Sequence, residues 1–255
     1  MQYPVYLDIG PLHMPLHRLF ELLAFLLGYR LYVWLRAQAQ DPLSDEQRRW
    51  IFVGAAGGAW LGSHLLGILE RPYQLANFHW AQFFVDKTIV GGLLGGLIGV
   101  EYTKKWLGTR RSSGDLMVYP ILFGLAVGRL GCHFAGLEDG THGNPTGLPW
   151  GIDFGDGIPR HPVQAYEMLY LGGLAVFLFF QEKRRPLAEG ARFKLFMTGY
   201  LLWRLALECW KPVWVSPLGL STLQLAALGG LWYYRKVFLN PAHLFTKHPR
   251  SEAAR

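Results

Sequence analysis

The chain has 255 residues and is 51% hydrophobic and 15% aromatic but only 17% charged, against about a quarter charged in an ordinary soluble domain. With its polar residues bunched between apolar stretches, this composition excludes an ordinary soluble domain and reads as a polytopic membrane protein. The formal charge of +7 calls for no nucleic acid, because basic loops beside apolar segments are what membrane orientation produces.

Windows of about 20 residues predict seven helices, near 18–35, 50–69, 80–101, 115–134, 163–181, 194–210 and 219–237. The N-terminus lacks the basic start and short apolar core of a cleaved signal peptide, so the first span is expected to be retained. The predicted class is therefore all-α: a polytopic membrane helix bundle of about seven transmembrane helices, a single integral membrane domain over 1–255.

Charge then orients the spans. Basic residues mark the connections 36–49 (Arg36, Arg48, Arg49), 102–114 (Lys104, Lys105, Arg110, Arg111) and 182–193 (Lys183, Arg184, Arg185, Arg192), and the tail from Arg235. Seven spans put all four on one side, which the bias of lysine and arginine makes cytoplasmic. The N-terminus, 70–79, 135–162 and 211–218 then face outward, with 135–162 an extracytoplasmic polar insert and 238–255 a basic cytoplasmic tail. Glycine ladders at helical spacing, Gly54-Gly58-Gly62 and Gly91-Gly95-Gly99, predict close helix packing, since lipid supplies no hydrophobic drive for association. No internal repeat is visible, which disfavours a transporter with duplicated halves.

Polar residues concentrate between Gly128 and Glu167. Arg129 stands in an apolar span flanked by Gly128 and Gly131, a costly place unless it meets an anion, a carboxylate or water. Arg204 lies in a second apolar span with Glu208 at i+4, so an intrahelical pair competes with ligand binding. A guanidinium fork suits bidentate contact with phosphate, and two of them point to an anionic headgroup. The stretch from 133 to 167 adds His133, Glu138, Asp139, His142, Arg160, His161, Gln164, Tyr166 and Glu167, among glycines and prolines that signal turns. Cys132 and Cys209 form neither a disulfide framework nor a metal-ligand spacing, and Cys132, His133 and His142 match no metal signature; no metal and no cofactor are expected.

Three strings carry a family resemblance: G-R-L-G-C-H-F-A-G at 128–136, P-T-G-L-P-W-G at 145–151 and P-R-H-P-V-Q-A-Y-E at 159–167. Together with G-G-L-L-G-G-L-I-G-V at 91–100, Y-L-L-W-R-L-A-L-E-C-W-K at 200–211 and Leu223-Gln224, they closely resemble bacterial prolipoprotein diacylglyceryl transferases over about residues 85–230. The resemblance implies transfer of a diacylglyceryl group from phosphatidylglycerol, or a similar anionic phospholipid, to the lipobox cysteine thiol of a preprolipoprotein. It places that reaction at the bacterial cytoplasmic (inner) membrane, in a multi-pass chain embedded in the bilayer. It further implies that Arg129 and Arg204 hold the phosphate, and that Gly131, Cys132, Gly136, His161, Gln164, Tyr166, Glu167 and Glu208 line the substrate site.

The chain also departs from the family pattern. Cys132 and Ala135 stand at asparagine positions, Glu138 falls one residue late, and Val90 or Leu94, by register, replaces a histidine. Trp60 replaces an arginine, and the first-span tyrosine has no clear match, with Glu21 nearest its place. His133 or Glu138 is then expected to take the thiol proton, unless the local positive field ionises the thiol. The alternative is a divergent relative that transfers to another acceptor, or one that binds anionic lipid without catalysis.

Overall fold

A computed structural model describes residues 3–39, 41–72 and 80–246; the end of the basic tail and most of the 70–79 connection lie outside them. The described residues form α1 (Leu16–Gln38), α2 (Asp45–Glu70), α3 (Trp80–Val85), α4 (Ile89–Trp106), α5 (Val118–Ala135), α6 (Val163–Arg184), α7 (Ala191–Leu207), α8 (Thr222–Tyr233) and α9 (Lys236–Leu239). Two small antiparallel hairpins join them, β1 (Tyr6–Ile9) with β2 (Leu12–Pro15) and β3 (Ile152–Asp153) with β4 (Pro159–Arg160). The chain is thus mostly helical, with two hairpins where only helices and turns are expected.

Asp45–Glu70, Asp115–Ala135 and Val163–Arg184 are long and apolar enough to cross a membrane. Large apolar side chains also face outward: Phe25, Ile98, Tyr102, Leu169, Phe177 and Trp232 are all exposed. Helices that are hydrophobic on their outward faces belong in lipid.

The predicted helix 80–101 divides in two. Thr88 accepts a hydrogen bond from Gly91 N at 3.1 Å and so caps α4, while its own N–H is taken by Ser63 O on α2. A capped start satisfies an orphan N–H that a continuous helix would have used internally.

The two glycine ladders face each other in antiparallel register across α2 and α4. A Cβ on Gly54, Gly58 or Gly62 would come within 2.9, 2.3 or 2.5 Å of the carbonyl oxygens of Gly99, Gly95 and Gly91 respectively. No residue larger than glycine fits there, which is the physical content of a small-residue interface. A second antiparallel pair, α1 with α5, uses the same device: Gly28 sits against Pro120 O, Gly124 against Ala24 O, and Gly131 against Phe20 and His17. That pairing carries the start of α1 to the end of α5. The buried core is contributed mainly by α5, α6, α7 and α8, with Leu171, Leu178, Phe196, Tyr200, Leu201 and Leu223 nearly inaccessible.

Polar contacts tie each end of the bundle. At one end Arg48 reaches Asp41 at 2.5 Å and Ser113 O at 2.7 Å, and Asp115 accepts from Gly190 N and Phe193 N, capping α7. Leu187 bridges Phe245 there. The basic connections thus meet at this end. At the other, Val5 N bonds Phe134 O, Asn144 N bonds Trp210 O and Thr222 Oγ1 donates to Leu69 O.

Candidate functional site

Arg129 and Arg204 converge. Glu167, one turn into α6 and almost fully buried, lies between them, with Oε2 at 2.7 Å from Arg129 Nε and 3.4 Å from Arg204 Nη1. Tyr200, one turn before Arg204 on α7, donates its hydroxyl to Glu167 Oε1 at 2.7 Å. One carboxylate therefore meets two guanidiniums and a phenol from the two neighbouring helices, and its own desolvation is offset by charge-assisted contacts.

Arg204 is more heavily engaged than Arg129. Its Nη2 donates to Glu208 Oε1 at 2.6 Å, the i+4 pair expected from spacing, and Glu208 Oε2 accepts from Ser221 at 3.3 Å. Lys211 Nζ stands 3.9 Å from the same Glu208. Burial pushes the Lys211 ammonium below its ordinary range, opposed by the Glu208 carboxylate.

Among the described residues, Arg129 is less engaged. Its Nε lies against Glu167 without hydrogen-bond alignment, and its Nη1 meets Cys132 Sγ at 3.8 Å. Both arginines line an open cleft of about 2490 Å³ that runs between α1, α2, α4 and α5. That volume exceeds the roughly 300–1,000 Å³ of a small-molecule pocket. The cleft wall carries apolar side chains such as Phe25, Leu93, Leu97 and Ile121 together with the Arg129 and Arg204 guanidiniums, an arrangement able to take an amphiphile with an anionic head.

The other expected site residues divide. Cys132 and Glu138 line the cleft. Gly131 packs against His17 and Phe20, and Gly136, with φ of +67°, allows the turn that brings Tyr3 within 2.8 Å of where its Cβ would stand. Gln164 is buried and reaches Thr141 Oγ1 at 3.3 Å, and Thr141 in turn donates to Asp139 at 2.8 Å. His161 and Tyr166 sit elsewhere: His161 Nδ1 lies 3.2 Å from Tyr166 OH, which also accepts from Trp150 Nε1 at 2.8 Å, so they brace the polar insert onto α6. His133 is set edge-on among Tyr3, Phe134 and Phe154, an aromatic packing position away from the cleft lining.

Sequence reading alone missed Tyr200, His17 and Ser221 as site residues. Tyr200 is one aromatic residue in an apolar run, though its position four before Arg204 puts both on one helix face. His17 and Cys132 are distant in sequence and meet only through the α1–α5 packing.

A helix bundle with an apolar exterior, a large cleft and a buried arginine–carboxylate centre defines a helical membrane protein with a charged internal site. The prolipoprotein diacylglyceryl transferase model matches residues 4–234, and the chain belongs to that family. It is 34% identical over 226 residues to a phosphatidylglycerol–prolipoprotein diacylglyceryl transferase of Nitratidesulfovibrio vulgaris, covering 80% of this chain and 79% of that one. It is 30% identical over 224 residues to the protein of the same name from Vibrio atlanticus (80% and 77% covered) and 29% over 214 residues to that of Glaesserella parasuis (80% and 78%).

Proposed function

We propose that this protein moves a diacylglyceryl group from phosphatidylglycerol to the lipobox cysteine of a preprolipoprotein. The observation that carries the reading is Arg129: a guanidinium at the head of a lipid-sized cleft, held by Glu167 through one edge and open along the other. The donor's acyl chains occupy the apolar cleft and its phosphate meets the Nη atoms of Arg129. Sulfur attacks the glycerol carbon, negative charge gathers on the departing phosphate oxygen, and the fixed guanidinium stabilises it where water is scarce. Arg204, clamped by Glu167 and Glu208, adds positive potential and holds Glu167 in place. Glu138, on the cleft wall, is within the region where the acceptor peptide enters.

Seven spans are assigned to α1, α2, α4, α5, α6, α7 and the α8–α9 segment, with the N-terminus outside and the basic connections cytoplasmic. The gathering of Arg48, Asp115, Arg192 and Phe245 at one end of the bundle supports this orientation. The site and the insert 135–162 then face the outer leaflet of the bacterial inner membrane.

The test is donor selectivity. Purified protein in detergent, given a lipobox peptide, is expected to release glycerol phosphate from phosphatidylglycerol and no phosphocholine from phosphatidylcholine. Equal turnover of both lipids would exclude headgroup recognition at Arg129.

A further inference from the structure

The cleft holds a second cluster beside Arg129. His17 at the start of α1, Cys132 on α5 and Asp139 in the turn after α5 each offer a ligand atom, and these atoms lie within 4.8 Å of one another. All three line the cleft. His17 Nδ1 is buried and has no hydrogen-bond partner among the described residues, an uncompensated polar atom that calls for an explanation.

We propose that His17, Cys132 and Asp139 form a transition-metal site of zinc type, whose open position takes the acceptor cysteine as a thiolate. One imidazole, one thiolate and one carboxylate make the three-ligand set of an open tetrahedral zinc site, and a soft sulfur donor selects against magnesium and calcium. Tetrahedral zinc holds its donors about 3.3–3.8 Å apart, so the side chains close by no more than about 1.5 Å from the separations here. Asp139 is already oriented: Thr141 donates to it through N at 3.0 Å and through its hydroxyl at 2.8 Å, and Gln164 reaches Thr141 at 3.3 Å. Such outer contacts fix a ligand's direction. The thiolate and the carboxylate cancel the metal's charge, so the site tolerates Arg129, whose Nη1 lies 3.8 Å from Cys132 Sγ.

The site lies where a thiolate is needed. A free cysteine holds its proton at neutral pH, and a metal-bound thiol is deprotonated outright. On binding, the acceptor thiol releases its proton to solvent. Its sulfur electron pair then forms the S–C bond as the glycerol C–O bond breaks, and the phosphate oxygen leaves with that bond's electrons toward Arg129. The metal site stands on geometry; its thiolate role rests on the transfer reaction proposed above.

Full-length protein, purified in detergent without chelator, is analysed for metal by mass spectrometry and then titrated with Co(II). Near-stoichiometric zinc is expected, with a sulfur-to-cobalt charge-transfer band on substitution. Cys132→Ser, His17→Gln and Asp139→Asn are expected to weaken zinc binding at least ~10-fold, whereas Cys209→Ser, at an exposed thiol, retains it. In wild-type protein, zinc is expected to shield Cys132 from maleimide while Cys209 still reacts, a readout that needs no variant to fold. Protein that neither carries zinc nor takes it up, or unshielded Cys132 in its presence, overturns the site. Bound zinc without turnover leaves the site standing and counts against the transfer reading. Full turnover after zinc is stripped overturns the thiolate role.

Discussion

Arg129 on α5 and Glu167 on α6 are in direct contact, Nε to Oε2 at 2.7 Å, and both side chains are buried. The same carboxylate engages Arg204 and Tyr200 on α7, so it couples three helices at the head of the cleft. Removing its charge leaves two guanidiniums without their shared partner. Glu167→Gln is expected to destabilise the protein by about 3–5 kcal/mol, the cost of an uncompensated buried charge, and to abolish turnover. Thermal unfolding in detergent measures the first effect; wild-type stability in this variant would contradict the assignment.

Tyr200→Phe removes one hydroxyl and nothing else. Its bond to Glu167 is charge-assisted, so a loss of about 1.5–3 kcal/mol is expected. Activity should fall less than in Glu167→Gln, because both ion pairs survive. A rate equal to that of Glu167→Gln would show that the phenol does more than hold the carboxylate.

The glycine seam between α2 and α4 gives a graded test. Gly58→Val forces a side chain into the Gly95 carbonyl, 2.3 Å from the Cβ position, and is expected to cost about 1–3 kcal/mol or more. Gly57, one residue away, has nothing within 4 Å, so Gly57→Ala is expected to be neutral or to stabilise by up to ~1 kcal/mol through helix propensity. Melting temperatures of the two variants should shift in opposite directions or differ clearly in size.

Asp41 predicts an acid dependence. Burial raises its pKa, but the hydrogen bonds and charge of Arg48, with the Leu43 N–H and Arg36, more than offset that and hold the carboxyl below the ordinary value of 3.8. A folded-state value below the unfolded one means the contribution is complete above the unfolded value and is lost as pH falls through the folded one. Wild-type protein is therefore expected to lose thermal stability below about pH 4, and Asp41→Asn to show a shallower acid slope. Matching slopes would remove Asp41 from the account.

Helix positions and the tight packing of two spans were legible because apolar runs and glycine every fourth residue are local patterns. The break before α4 is also local, in Asp86-Lys87-Thr88, but a polar triplet in an apolar run does not announce whether it caps a helix or continues it. The hairpins of the N-terminus and the insert are short, two to four residues a strand, too brief for an alternating apolar pattern to announce them. At the site, Arg129 and Arg204 stand out as charges within apolar spans, and their convergence was expected. Glu167 as the carboxylate between them was not, since helix spacing links Glu208 to Arg204 but says nothing of contacts between α5, α6 and α7. The packing of His133 was not legible either, since two of the aromatic rings that surround it, Tyr3 and Phe154, are distant in sequence.

The most direct measurement follows thioether formation on a lipobox peptide by mass spectrometry, with phosphatidylglycerol as donor, for wild type and Arg129→Ala. Wild type is expected to add one diacylglyceryl group per peptide and release glycerol phosphate. Arg129→Ala, folded to the same thermal midpoint within a few degrees, is expected to be slower by ~10²–10³, the cost of removing one fixed donor from a developing oxyanion. An Arg129→Ala variant that transfers at the wild-type rate, or a wild-type protein that binds phosphatidylglycerol and forms no thioether, would contradict the account.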